Sequence, residues 1–152
     1  MERSPKTLVV DASTATKWFV EETDSDKANL LKTAHETGRL RLIAPDLLIY
    51  EVTNALDYNP EMTMEDLVQS TRRLLELDID LIPPRGDFAA ETARTARKYD
   101  VSAYDASYVA LADIIGTNCV TADGKLYRKL QGKKPLFLLS ALGRGWDIAG
   151  PS

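Results

Sequence analysis

The sequence predicts an α/β domain built on a parallel sheet with helices on both faces. Five short runs of mainly apolar and β-branched residues lie at 6–10, 41–44, 78–82, 118–121 and 135–139. Segments with helical spacing of apolar residues separate these runs, and strands that are joined through helices form parallel sheets. The chain has 152 residues without an internal repeat or a long linker. We therefore expect one domain over 1–152, with its core at about 6–139.

The predicted helices carry recognisable start and stop signals. They are expected directly after Asp11, over 24–37, from Pro45-Asp46 to Asn59-Pro60, after Thr63, over 86–99, from Ser102 to Gly116, and around 125–129. Thr63 and Ser102 are good N-caps because their hydroxyls accept from free backbone N–H groups. Gly38 and Gly116 are natural stops because glycine readily adopts a left-handed conformation. Residues 143–152 are rich in glycine, and we expect a flexible tail there.

Composition excludes several classes of function. The net charge is −4, so the chain cannot bind nucleic acid through bulk positive charge. The single cysteine, Cys119, cannot form an internal disulfide, which fits a reducing compartment and a cytoplasmic location. No apolar run approaches the roughly 20 residues of a membrane span, and the N-terminus does not read as a signal peptide. His35 is the only histidine and is predicted on the solvated surface, so neither a structural zinc site nor a Ser-His-Asp triad is expected.

Two carboxylates follow predicted buried strands. Asp11 comes directly after the first strand, and Asp123 follows the fourth strand across a one-residue gap. Ligands of parallel sheets bind beyond the carboxyl ends of the strands, where we expect both carboxylates to lie. No glycine-rich phosphate loop follows either strand, so a dinucleotide or nucleotide-binding fingerprint is absent from these positions.

Two further acids lie inside the apolar stripes of predicted helices. Glu51 is four residues after Leu47 and four before Ala55, and Asp105 is four before Val109. A buried carboxylate is costly unless its charge is compensated. For Asp105 alone, a plainer interpretation is that it only stabilises the N-terminus of its helix, as acidic side chains commonly do.

Together, Asp11, Glu51, Asp105 and Asp123 predict a cation site. At about 4 Å two like charges cost on the order of 4 kcal/mol at an effective dielectric near 20, so a converging cluster either keeps a proton or holds a cation. Carboxylates without histidine or cysteine are hard ligands, which favours Mg²⁺ or Mn²⁺ over Zn²⁺. Such an ion can activate water and stabilise a leaving oxygen, which is the machinery of phosphodiester hydrolysis.

Four segments resemble the successive motifs of PIN-domain ribonucleases, and most of all the VapC-type toxins of toxin–antitoxin pairs. They are residues 9–13 (VVDAS), 44–56 (APDLLIYEVTNAL), 104–112 (YDASYVALA) and 120–126 (VTADGKL). The resemblance runs from about residue 6 to 139. It implies a three-layer α/β/α domain with a central five-stranded parallel sheet and a Mg²⁺- or Mn²⁺-dependent endoribonuclease activity on RNA.

The resemblance also implies roles for single residues. The acidic quartet of the family falls on Asp11, Glu51, Asp105 and Asp123, with Glu51 binding the metal directly or through water. The general base stays open. Thr121 matches a small polar position that supports the site. Family members commonly form homodimers and bind a cognate antitoxin, and we expect the same partners here.

Basic side chains after Asp123 could steer RNA toward the acids. Lys125, Arg128 and Lys129 are the candidates for RNA contact, although they would also suit an ordinary solvated helix face. The RNA sequence that is cut cannot be read from these residues.

Two other functions fit parts of the pattern. A housekeeping nuclease for RNA maturation would use the same chemistry. A receiver-like signalling domain would also be α/β with an acidic magnesium pocket. A receiver needs an acidic pair after the first strand and a lysine after the last strand, whereas Ser140-Ala-Leu follows the last strand here.

Overall fold

A computed structural model describes residues 6–148. Its five strands form one fully parallel sheet in the order β3-β2-β1-β4-β5. The strands are β1 (Lys6–Val10), β2 (Leu40–Pro45), β3 (Asp80–Ile82), β4 (Asn118–Thr121) and β5 (Leu136–Leu138). The prediction of a five-stranded parallel sheet is confirmed, with strand ends that differ by at most two residues from those expected.

Seven helices connect or follow these strands within residues 6–148. They are α1 (Ala12–Ala15), α2 (Ser25–Glu36), α3 (Leu48–Asp57), α4 (Met64–Glu76), α5 (Gly86–Tyr99), α6 (Ala103–Ile115) and α7 (Gly124–Lys129). Short 3-10 turns extend α1 over Thr16–Trp18 and follow β5 over Leu139–Ala141. The expected caps are present, because Thr63 and Ser102 both accept from the backbone of the following turn.

The strand order places a crevice at one point of the sheet. The chain steps outward from β1 to β2 and β3, and then returns to the other side of β1 with β4. Because such crossovers are right-handed, α1–α4 cover one face and α5–α6 cover the other, which confirms the three-layer arrangement. Ligands of these sheets bind where the order reverses, here between the carboxyl ends of β1 and β4. Receiver domains have the order 2-1-3-4-5, so this topology argues against the receiver interpretation.

Helix α6 forms the centre of the core. Every residue from Ala106 to Ala112 is buried, and the helix packs on β1, β2 and β4. Its first turn stays at the edge of the sheet because Ser102 ends the preceding loop and starts the helix there. The packed helix therefore fixes the position of Asp105, which lies in that first turn. No helix within residues 6–148 is long and apolar enough to cross a bilayer.

The segment after β5 folds back onto the domain. Trp146 is only 6% exposed, and its indole N–H donates to the carbonyl of Leu138 at 3.1 Å. The carbonyl of Trp146 accepts from the N–H of Gly143 at 2.7 Å, where a φ of +87° suits glycine. The buried Trp146 and these hydrogen bonds thus attach residues 143–148, part of the tail that we expected to be flexible, to the domain. Residues 149–152 lie outside the described part of the chain.

His35 is not the solvated surface residue that the sequence predicted. Its Nδ1 accepts from the N–H of Leu42 at 3.0 Å, so Nε2 carries the ring proton and donates to the carbonyl of Leu77 at 2.7 Å. The ring therefore joins the end of α2 to β2 and to the end of α4. The charged neighbours of His35 along the sequence concealed this position, because the contacts come from residues that are distant in sequence.

Replacing His35 with Ala should lower the free energy of unfolding by about 1–3 kcal/mol, since a backbone N–H and a carbonyl both lose their partner. Denaturant unfolding measures this change. Glu36→Ala, at the exposed neighbouring position, is the matched control and should change stability little. Equal stability of His35→Ala and the unmodified protein would show that water replaces both bonds.

Candidate active site

Asp11 is the most buried of the four predicted acids. It follows β1, is 5% exposed, and caps α1 through a hydrogen bond from the N–H of Thr14 to Oδ1 at 3.1 Å. Ser13 Oγ donates to the same oxygen at 2.7 Å, and Thr121 Oγ1 donates to Oδ2 at 2.5 Å. Three donors thus fix this carboxylate at the end of the first strand.

Two hydroxyl groups join the ends of β1 and β4. Thr121 Oγ1 accepts from the N–H of Asp123 at 3.0 Å while it donates to Asp11. Ser13 Oγ likewise accepts from the N–H of Ala122 at 2.9 Å. Thr121 is fully buried, as expected of a residue that supports the site. Ser13 performs the same task and was not assigned a role from the sequence.

Asp123 lies on the other side of the crevice. It is the N-cap of α7, and its Oδ1 accepts from the N–H of Leu126 at 3.1 Å. The side chain is half-buried, and its charge raises the pKa of both Asp11 and Asp105. Asp123 therefore lies within electrostatic reach of two other members of the quartet.

Glu51 projects from the first turn of α3 toward α6. Its Oε1 accepts from the hydroxyl of Tyr108 at 2.5 Å. The phenol ring is 1% exposed, so packing in the core fixes the position of the donor. Partial burial raises the pKa of Glu51, the bond from Tyr108 lowers it, and the charge of Asp105 raises it again.

Asp105 closes the set of four. It is half-buried in the first turn of α6, where its N–H donates to Ser102 Oγ at 3.0 Å. Burial and the charge of Asp123 raise its pKa. Asp105 thus interacts with Glu51 on one side and with Asp123 on the other, and Asp123 in turn interacts with Asp11. The interpretation of Asp105 as only a helix-capping acid does not explain this neighbourhood.

The four carboxylates have little compensating charge. Burial raises the pKa of Asp11 from 3.8 to about 6, although three hydrogen bonds oppose the change. None of the salt bridges among residues 6–148 involves a member of the quartet. The crevice between β1 and β4 therefore has an uncompensated negative potential, which attracts cations.

The chemistry of these donors fits a hard divalent cation. They are carboxylate oxygens with neighbouring hydroxyls, without a described imidazole or thiolate beside them. In their present positions, no three carboxylate, imidazole or thiol groups within residues 6–148 stand close enough to share one ion. This does not conflict with Mg²⁺, which commonly binds one or two carboxylates and keeps several waters.

The three basic candidates for RNA contact differ in their surroundings. Lys129 donates to the carbonyl of Asp100 at 2.7 Å, so it joins α7 to the α5–α6 turn. The guanidinium of Arg128 lies against Gly124, where an added Cβ would be 3.2 Å from Nη1. Lys125 is exposed one residue beyond that glycine. Lys125 and Arg128 thus both lie beside Gly124, the residue after Asp123.

Comparison with known proteins assigns the chain to a family. The PIN domain model matches residues 8–130. Ribonuclease VapC3 of Pyrobaculum aerophilum is 30% identical over 126 residues, which cover 80% of this chain and 93% of that protein.

Solved structures share the fold. PAE2754 from Pyrobaculum aerophilum has a TM-score of 0.61 and 26% identity, with 90% of this chain and 93% of that chain covered. VapBC-5 from Mycobacterium tuberculosis, a member of the VapBC family of toxin–antitoxin systems, has a TM-score of 0.55 and 16% identity, with 88% and 98% covered. The chain therefore belongs to the PIN domain family, among its VapC-type members.

Proposed function

We propose that this protein is a Mg²⁺- or Mn²⁺-dependent endoribonuclease that acts as the toxin of a type II toxin–antitoxin pair in the cytoplasm. The observation that carries the proposal is the electrostatic coupling of four carboxylates, none of which has a described salt-bridge partner, around the crevice between β1 and β4. The similarity to Ribonuclease VapC3 supports RNA as the substrate.

In this proposal the metal lies between Asp11, Asp105 and Asp123, and Glu51 binds it directly or through water. Because no three of the described carboxylates stand close enough to share one ion in their present positions, one or two of them would bind it directly and the others through water. When bound, the ion would polarise a phosphate oxygen and lower the pKa of water. Thr121 and Ser13 keep the Asp11 carboxylate in place, and Tyr108 orients Glu51 toward the crevice. Lys125 and Arg128 would attract the phosphates that flank the cut.

We further propose a cognate antitoxin and a second copy of the chain as protein partners. The similarity to a member of a toxin–antitoxin family supports the first. Exposed apolar side chains on α3 and α4 offer surface for a protein partner; they are Tyr50, Met64, Val68 and Leu75. Exposed apolar side chains grouped on neighbouring helices are typical of protein interfaces.

The proposal is tested by expressing the protein and Asp105→Asn in cells and sequencing RNA 5′ ends. We expect new ends at defined sites and arrested growth only with the intact quartet. Purified Asp105→Asn that folds and still cuts RNA would overturn the site assignment. Cleavage without growth arrest would favour a housekeeping nuclease over a toxin.

Tyr108→Phe should shift the acidic limb of the pH–rate profile to higher pH. The hydroxyl of Tyr108 lowers the pKa of Glu51, so its loss lets burial and the Asp105 charge raise that pKa further. We expect kcat/KM to fall about 10-fold to 100-fold near neutral pH, the usual scale for losing a residue that orients a metal ligand. Steady-state cleavage at several pH values measures the shift.

Tyr127→Phe is the matched control, since that phenol donates to the carbonyl of Gly132 at 2.9 Å, beyond the acidic crevice. A Tyr108→Phe profile that falls equally at every pH would show that the hydroxyl does not act through Glu51.

A further inference from the structure

A cleft with a volume of about 250 Å³ opens next to the first turns of α3 and α6, the turns that carry Glu51 and Asp105. It lies between the start of α3, the end of β3 and the two helices α5 and α6. Its floor and walls are mainly apolar, with Leu47 and Phe88 among the lining residues, and Tyr104 lines it at the first turn of α6. We call it the base cleft.

The base cleft and two of the four acids are connected through the starts of two helices. Tyr104 directly precedes Asp105, and Ser107, another lining residue, directly precedes Tyr108. On the other wall, the carbonyl of Leu47 accepts from the N–H of Glu51 at 3.0 Å. Cleft and acids therefore share the first turns of α3 and α6 and occupy neighbouring sides of them. A chain whose phosphate lies at the acids would have its neighbouring group beside the cleft.

The mouth of the cleft combines an aromatic ring with an acceptor. Tyr104 is 64% exposed, whereas Phe88, which also lines the cleft, is 7% exposed. Asp46 is an exposed lining residue whose N–H donates to the carbonyl of Ile82 at 3.1 Å. Its carboxylate is in none of the salt bridges among residues 6–148. An apolar slot with a partly exposed ring and one acceptor suits a flat heteroaromatic group that has a donor at its edge.

We propose that the base cleft holds one unpaired nucleobase of the RNA, next to the phosphate that is cut, with Tyr104 stacked on it. This inference rests on the proposed ribonuclease function, because that function brings RNA to the acids. Single-stranded RNA is commonly recognised through unstacked bases on aromatic side chains. The Asp46 carboxylate can accept from a donor at the edge of that base, as carboxylates do from cytosine N4.

The test measures how Tyr104 and the base depend on each other. An RNA oligonucleotide with a mapped cut is compared with versions that carry one abasic ribonucleotide at each position beside the cleaved phosphate. The protein, Tyr104→Ala and Tyr58→Ala are assayed on every substrate with Mg²⁺ or Mn²⁺. Tyr58 is 88% exposed at the end of α3 and does not line the cleft, so it is the matched control.

At one position we expect base removal to lower kcat/KM of the unmodified protein about 10-fold to 100-fold, the scale of one base stacked on an aromatic ring. Tyr104→Ala should lower kcat/KM on intact RNA by a similar factor, mainly by raising KM. Removing that base as well should not lower kcat/KM of Tyr104→Ala any further. Tyr58→Ala should keep the full dependence on the base. Thermal unfolding checks that Tyr104→Ala is folded.

The base cleft would be overturned if, at every position, the loss of kcat/KM from base removal multiplied the loss from Tyr104→Ala. Full activity of Tyr104→Ala would overturn it as well. Full activity together with a changed oligomeric state of Tyr104→Ala in size-exclusion chromatography would assign the cleft to contacts between copies of the chain. If the unmodified protein cuts no RNA with either metal, the proposed function itself fails, and that result is distinct from a failure of the base cleft.

Discussion

Asp11→Asn should abolish metal-dependent RNA cleavage and, at the same time, make the metal-free protein more stable at neutral pH. The activity is lost because the substitution removes a buried anionic ligand from the crevice between β1 and β4. We expect a loss of at least about 10²–10³-fold in kcat, the scale of removing one group that stabilises charge in a transition state. Asparagine remains a good N-cap for α1, so the fold is retained.

The gain in stability follows from the raised pKa of Asp11, which moves from 3.8 to about 6 on burial. Because the folded protein binds this proton more tightly than the unfolded chain, protonation stabilises the fold. Ionisation of the buried carboxylate lowers the free energy of unfolding of the unmodified protein. This destabilisation is absent below about pH 4, grows as the pH rises, and is complete above about pH 6. A shift of about two pKa units corresponds to about 3 kcal/mol, and the change in hydrogen bonding around an amide reduces the expected gain to about 1–3 kcal/mol.

Denaturant unfolding of metal-free protein between pH 4 and pH 8 checks this prediction, with pH 4 chosen near the ordinary carboxyl pKa. The free energy of unfolding of Asp11→Asn should increasingly exceed that of the unmodified protein as the pH rises. The difference between the two proteins should vanish near pH 4. Asp113→Asn, at an exposed position of α6, is the matched control and should keep its activity. An Asp11→Asn protein that is less stable at every pH would mean that the three hydrogen bonds to Asp11 outweigh its burial.

The four acids could be found from the sequence because each breaks a local pattern. Asp11 and Asp123 end apolar runs, and a parallel sheet brings such positions to one edge. Glu51 and Asp105 interrupt apolar stripes at helical spacing. The structure couples the four carboxylates electrostatically in pairs, although no three of the described ones stand close enough to share one ion. Their role as metal ligands stays a prediction.

The supporting residues were harder to predict because they act across the sheet. Ser13 looks like an ordinary residue at a helix start, and its bond to the N–H of Ala122 depends on the pairing of β1 with β4. Tyr108 counted only as an apolar residue of α6. Its position three residues after Asp105 was a usable signal, since residues at that spacing lie on the same side of a helix.

The strand order was also beyond the sequence pattern. Alternating strands and helices indicate parallel pairing, but they do not tell where the chain crosses back over the sheet. That crossing occurs before β4, and it is what makes Asp11 and Asp123 neighbours. The position of Trp146 could not be predicted from the local sequence either. The glycines around it suggested a flexible tail, whereas its indole N–H donates to the carbonyl of Leu138 in the domain.

Removing divalent metal should abolish RNA cleavage, and adding Mg²⁺ or Mn²⁺ should restore it and raise the melting temperature. An ion that binds only the folded protein adds about 2.7 kcal/mol at 100 times its Kd, or on the order of 5–10 °C for a domain of this size. Metal displaces the proton of Asp11, so the rise should be larger at pH 8 than at pH 5, on either side of the pKa of about 6. Scanning calorimetry after EDTA treatment measures these changes.

Asp105→Asn separates binding at the quartet from binding elsewhere on the acidic surface. The substitution removes one carboxylate that Asp123 and Glu51 both face, so the metal-induced rise in melting temperature should shrink. Asp113→Asn should keep the full rise, because Asp113 is exposed toward the other end of α6. Equal metal-induced rises in the melting temperature of both variants would place the ion away from the crevice. RNA cleavage that survives EDTA would show that the reaction does not need the metal. Loss of the rise in Asp105→Asn alone would tie both the ion and the chemistry to the edge where β1 and β4 end.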